Sequence, residues 1–175
     1  MTLDHERLWQ TLGSLLDGVA NALDHNAFAD EALQAVLEHT HADRGVLVLD
    51  TTGGRPVLAS RSGEGRRAPL DAVEPSNSII DEAIATGETV VQAGIDDETS
   101  SMSRLGIIMA VAAPLKPIGW NGGELLGALY VDFRSTDRYV GQLHVELVAT
   151  AARLLGVVLD QRRRIEIADE RRLAT

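Results

Sequence analysis

The densest group of chemically capable side chains is Gly94 to Arg104, GIDDETSSMSR, where three acids, three serines and an arginine fall within eleven residues. The oxygens of Asp96, Asp97 and Glu98 suit a hard cation such as Ca2+ or Mg2+. Three consecutive residues cannot all face one centre, however, and no spaced ligand set with a turn glycine follows, so a solvated loop is expected and no metal site is predicted. Arg104 can grip an anion through two parallel N–H donors, and Asp96 can accept hydrogen bonds. Met102 and Met109 offer adaptable apolar contact. If a pocket adjoins this segment, Asp96, Met102, Arg104 and Met109 are the candidate ligand-binding residues. The competing reading pairs Arg104 with its acidic neighbours and uses Met102, Leu105 and Met109 as core filling.

Catalysis finds little support. Ser100, Ser101 and Ser103 lie in no G-x-S-x-G turn and have no histidine close in sequence. Among the five histidines, His39 and His41 are two apart, which on a helix sends the rings to different faces and spoils a shared metal site. Cysteine is absent, which excludes disulfides, thiolate metal sites, cysteine nucleophiles and thioether-linked chromophores. No phosphate-binding G-x-x-x-x-G-K loop is present. The expectation is no catalytic residue and no enzyme.

Charge narrows the partners. With 16 basic and 26 acidic side chains the formal net charge is −10, which repels phosphate backbones and anionic bilayers, so neither nucleic acid nor membrane is an expected partner. The basic set is fifteen arginines and Lys116, and its one dense cluster, Arg162 to Arg164, reads as a solvated helix face paired with Asp160 and Glu166. No apolar run approaches the roughly 20 residues that span a bilayer, and the acidic N-terminus lacks the apolar core of a signal peptide, so the expected location is cytoplasmic.

The elements that must position these residues follow from periodicity. Leu8, Leu12, Leu15, Leu16, Val19 and Leu23 recur at helical spacing, as do Phe28, Ala32, Leu33, Val36 and Leu37, predicting two opening helices. Arg44–Thr51 and Pro56–Arg61 are short apolar runs flanking Gly53 and Gly54, the pattern of a β-hairpin. Ser62–Pro75 reads as a loop. Ser76 is placed to cap a helix carrying Ile79, Ile80, Ala83 and Ile84, with Gly87 at its C-terminal end. A short strand follows at Glu88–Ala93, then the polar loop described above. Ile107–Leu115 and Leu125–Phe133 read as strands joined by a tight turn at Asn121–Gly123, with Trp120 at its tip. Pro114 is expected at an edge or strand end. From Tyr139 to about Leu173 the chain is helical at roughly 1.5 Å per residue, too long to be covered by a small domain, so its end must project or pair. The fold class is α+β: an antiparallel sheet of about five to six strands with helices gathered toward one face.

Several of these stretches together resemble the GAF family: ALQAVLEHTHADRGVLVLD (Ala32–Asp50), SIIDEAIATGETVV (Ser78–Val91), AGIDDETSSMSRLGI (Ala93–Ile107), AVAAPLKP (Ala110–Pro117) and, most characteristic, LLGALYVDFR followed by a helix. The resemblance covers about Ala27 to Gln161. It implies a GAF- and PAS-like fold with long terminal helices, divided as an N-terminal dimerisation helix at 1–26, a GAF domain at 27–160 and a signalling helix at 161–175. It further implies a small-molecule pocket between the sheet and the loops Gly65–Ser76 and Gly94–Arg104. The relatives it most resembles stand upstream of transcription activators, kinases or cyclases, and their paired terminal helices imply a homodimer through Leu8, Leu12, Leu16, Leu147, Leu154 and Val158, acting on an output domain. Bilin-binding and sulfoxide-reducing members use cysteines that this chain lacks, so no covalent bilin and no named cofactor is expected. Cyclic-nucleotide-binding members carry an N-K…F…D-E pattern of which only Asp97 and Glu98 are present. The expected function is a regulatory sensor module. A ligand-free dimerisation scaffold and a small-molecule enzyme using the same cavity are the alternatives, and retained ligand, a filled cavity or turnover would separate the three.

Overall fold

The computed structural model describes residues 25–62, 77–93, 106–134 and 140–175, together with Glu6, Gln10 and Gly13. Along them run α1 (His25–Thr40), β1 (Arg44–Leu49), β2 (Val57–Ser62), α2 (Asn77–Thr86), β3 (Val90–Ala93), β4 (Met109–Leu115), β5 (Gly127–Phe133) and α3 (Gln142–Leu173). Glu6, Gln10 and Gly13 are helical and exposed, on the polar side of the first periodic segment. Every strand pairing is antiparallel, in the order β2-β1-β5-β4-β3.

Helix α1 forms because Phe28, Ala29, Ala32, Leu33, Val36 and Leu37 repeat at three- and four-residue steps and present one apolar stripe. It stops where His41 takes a left-handed conformation at φ 56°. The hairpin predicted at Gly53 and Gly54 is present: Thr51 and Gly54 exchange backbone hydrogen bonds at 2.9 and 3.1 Å around a two-residue turn. Gly87, at φ 71°, closes α2 by donating its N–H to Ala83 O at 2.9 Å.

The sheet is covered on both faces, whereas the sequence pattern predicts helices on one. Alternation along the strands explains it. Leu47, Val111, Leu115, Leu129, Val131 and Phe133 point to the face where α1 and α3 pack. Val46, Val48, Ala110, Ala112, Ala128 and Tyr130 point the other way, onto Ile79, Ile80 and Ala83 of α2. Strand β5 is consequently buried at all seven positions. Pro114 lies where β3 no longer pairs with β4, since that ladder ends at Ala112, in keeping with a proline's missing donor.

Two glycines set how closely the layers meet. Gly127 sits at φ 156°, and a Cβ there would lie 1.9 Å from Val48 O, so strand β1 comes close at this point. Helix α1 comes close at Gly45, where a Cβ would lie 2.7 Å from Leu33 Cδ1. The second predicted hairpin is also longer than a tight turn. Residues 116–126 connect β4 to β5, and Trp120 is folded back over Gly87 and is not a free tip.

Helix α3 contains a stretch long and apolar enough to cross a bilayer, longer than the sequence reading allowed, but half of that stretch is buried within the fold as a core helix. Beyond Asp160 its residues are exposed apart from half-buried Arg162, so about 20 Å of helix projects from the domain. At its start, Gly141 N donates to His144 Nδ1 at 3.1 Å.

Replacing Gly127 with alanine should cost more than about 3 kcal/mol in urea unfolding, because the substitution combines backbone strain with a clash against β1 that neither strand can relieve alone. A second expectation concerns pH. Burial pushes the His144 imidazole below its ordinary value of 6.5, and only the neutral ring can accept at Nδ1. Its stabilising contribution is thus complete above pH 6.5 and is lost as pH falls through the lower folded-state value. Thermal melts from about pH 8 to about pH 5 should show Tm declining at the acid end, and more shallowly in His144→Asn, which keeps an acceptor that does not titrate.

Candidate functional site

Within the apolar strand GALYVDF one residue is charged, and that carboxylate organises the candidate site. Asp132 is 0% exposed. Arg44, opposite it on β1, grips it in a two-pronged fork, Nε to Oδ1 at 3.1 Å and Nη2 to Oδ2 at 2.6 Å. Tyr130, two residues earlier and therefore on the same face, donates its hydroxyl to Oδ2 at 2.9 Å. The pairing register continues the row outward: Tyr130 opposes Val46, and Val46 opposes Ser60 of β2. Two strand spacings separate Ser60 from Tyr130, about 10 Å. Ser60 is 1% exposed, and its Oγ has no hydrogen-bond partner among the described residues.

This group lies on the α2 face. The two faces of the sheet differ in bulk as well as polarity. Against α1 and α3 stand leucine, valine and phenylalanine; on the α2 face Ser60, Ala110, Ala112 and Ala128 are small, and α2 itself has only ten residues. A buried ion pair in such a place fixes geometry more than it adds stability, since desolvation offsets much of the attraction. An unpartnered buried hydroxyl is rarer and calls for a partner.

The sequence-predicted residues fall differently. Asp96, Met102 and Arg104 lie outside the described residues, as do the loops to which the pocket was assigned and Ser76. Met109 heads β4 half-buried and packs with the core on the α1/α3 face, on the opposite side of the sheet from the polar group. Of the predicted dimer seam, Leu8, Leu12 and Leu16 are likewise outside the described residues. Leu147 is 1% and Val158 6% exposed within a single chain, Val158 as part of the core, while Leu154 is half-buried. The basic cluster divides: Arg163 and Arg164 pair with Asp160 at 3.4 and 2.9 Å, while Arg162 lies over the Phe28 ring at 5.8 Å. Arg44, Tyr130, Asp132 and Ser60 escape the sequence reading, although an acid inside an otherwise apolar strand was a usable signal. A cavity of about 260 Å3 opens on the other side of the sheet, floored by Leu49, Leu58, Leu126 and Leu159 beside Arg163 and Glu166 of the projecting helix.

Truncating Asp132 to alanine would leave the Arg44 guanidinium, 12% exposed, without its counter-charge. The expected cost is about 3–5 kcal/mol by chemical denaturation, well above that of an exposed pair.

Comparison with known proteins agrees with this architecture. The GAF domain family profile matches residues 24–159. No curated protein sequence matches the chain. Similar solved structures include the GAF domain assigned to a sensor histidine kinase of Pseudomonas syringae pv. tomato, at TM-score 0.67 and 15% identity over 95% of this chain and 94% of that one. The GAF domain of a phosphoenolpyruvate-protein phosphotransferase from Coxiella burnetii superposes at 0.68 with 16% identity, covering 93% of this chain and 98% of that one. The phycoerythrobilin-bound GAF domain of a cyanobacterial phytochrome does so at 0.67 with 16% identity, covering 95% and 100%. At these identities the structures establish the fold alone, while the profile spans most of the sequence, and the chain belongs to the GAF domain family.

Proposed function

We infer that this GAF domain is a cytoplasmic regulatory sensor with no catalytic activity of its own, and that it takes a small molecule on the α2 face of its sheet. The observation that carries the reading is the Ser60 hydroxyl, buried and without a partner among the described residues, on a row that also holds Tyr130. Leaving such a group unsatisfied costs about 1–3 kcal/mol, a penalty that a ligand's donor or acceptor would remove. The Arg44–Asp132 fork holds Tyr130 Oη in a fixed direction. Regulation, as in sensor modules that precede kinases and activators, follows from the projecting end of α3. Two copies pair through the terminal helices, with Leu154 and Ile165 as the α3 contribution. These two are eleven residues apart and fall about 20° from one another around the helix. Ile165 is exposed on the projecting part, and an output domain joined to that end would receive any change in its direction.

Native mass spectrometry of the protein as purified from cells tests both parts. A dimer with extra mass that disappears in Ser60→Ala supports the sensor reading. The same substitution should stabilise ligand-free protein by about 1 kcal/mol, because it deletes an unsatisfied hydroxyl. A destabilised Ser60→Ala protein with no retained mass in either form would favour a closed scaffold instead.

A further inference from the structure

The two faces of the sheet carry different parts of the proposed sensor: the ligand row lies on the α2 face, and the output helix α3 lies on the opposite side. The connection between β4 and β5 touches both layers. On the α2 side Trp120 covers the helix end, where a Cβ on Gly87 would lie 2.5 Å from Cη2 of the indole. The ring is held from three directions: its Nε1 donates to Gly123 O at 2.8 Å, its backbone N donates to Pro117 O at 3.1 Å, and Lys116 Nζ stands 4.5 Å over the ring. On the α3 side the same connection is pressed against the output helix. A Cβ on Gly156 would lie 2.4 Å from Lys116 O, so only glycine admits this approach. Ile118 N donates to Asp160 Oδ2 at 3.1 Å, and this carboxylate, fully buried, also receives Arg163 and Arg164.

We propose that residues Lys116–Gly123 are the mechanical link between the two layers, with Trp120 following the position of α2 and Asp160 fixing the root of the projecting helix. Both ends of the link are glycine-mediated close approaches, which tolerate little sliding, because packed interfaces change by steps and do not deform smoothly. A ligand that shifts α2 by an ångström must displace the indole or carry it along. If the indole moves, the backbone at Lys116 and Ile118 moves with it, and the Asp160 contact is the point at which α3 registers the change. Asp160 is also the last buried residue before the helix leaves the domain, so a small change there alters the direction of everything beyond it. Trp120 and Asp160 are positioning residues in this scheme, and neither touches the proposed ligand.

The inference builds on the sensor reading, but its test needs no ligand. Coupling is reciprocal, so each end can be perturbed and read at the other by amide hydrogen exchange on the full chain. In Trp120→Ala, amides of α3 around Gly156 to Arg164 should exchange at least about tenfold faster; in Asp160→Ala, the amides of Gly87 to Val90 should do so. Glu124→Gln, in the same connection but beyond the Trp120 contact, should leave both regions at the wild-type rate. If each variant loosens only its own element and the connection, the link is overturned. Should Trp120→Ala fail to fold, Trp120→Phe keeps a ring over Gly87 and removes the Gly123 hydrogen bond. It should then give an intermediate acceleration in α3, and wild-type exchange throughout α3 would overturn the proposal equally. A chain that couples its two layers but retains no small molecule would refute the ligand reading and leave this one standing.

Discussion

Strand β5 is buried along its whole length, and that single constraint shapes the molecule around it. A strand hidden on both faces needs a layer above and a layer below, a neighbour on each edge, and a partner for any polar atom it carries. The first two demands account for α1 and α3 on one side, α2 on the other, and the pairing with β1 and β4. The third falls on Asp132. Arg44, directly opposite in the register, supplies its carboxylate with a matched fork, and Tyr130 adds a further donor. A one-residue slip between β1 and β5 would send Arg44 to the α1 side and strand the charge, so the ion pair also specifies the register.

The same alternation makes the two faces chemically unequal. Large aliphatic side chains on the α1/α3 face interlock with two long helices and form a core with little reason to move. The α2 face combines small residues, a fixed hydrogen-bonded trio and one hydroxyl without a partner among the described residues, and the helix that packs on it has ten residues. The faces thus differ in bulk and polarity, and the sensor role proposed above would use that difference, rooting the projecting helix on one face and meeting a ligand on the other.

Asp160 and Asp132 are the two fully buried carboxylates among the described residues, and they are held in contrasting ways. Asp132 is locked inside the sheet by a partner from a neighbouring strand. Asp160 is tied to the backbone of a loop and to exposed arginines one turn further along its own helix. The first contact is a permanent part of the core, while the second lies at a boundary between buried and projecting helix, where its alternatives in water are close at hand.

The sequence by itself determined what depends on neighbours along the chain. Helical steps from Phe28 to Leu37, the glycine-centred β1–β2 hairpin, Gly87 as the end of α2 and the excess length of α3 are all set by local periodicity and backbone preference, and the family resemblance carried by LLGALYVDFR belongs with them. Tertiary structure alone decided which strand faces which helix, and with it everything that requires two distant segments to meet. Arg44 and Asp132 are 88 positions apart, so nothing local marks them as partners, although an acid within GALYVDF hinted at one. Met109 looked like a pocket residue by its place after the polar loop, yet strand parity turns it to the core. Asn121–Gly123 looked like a tight hairpin, yet the indole of Trp120 had a glycine to cover on another element, and that contact drew the connection out. Periodicity tells a side chain which way to point relative to its own backbone; only the register of the sheet says what stands there to meet it.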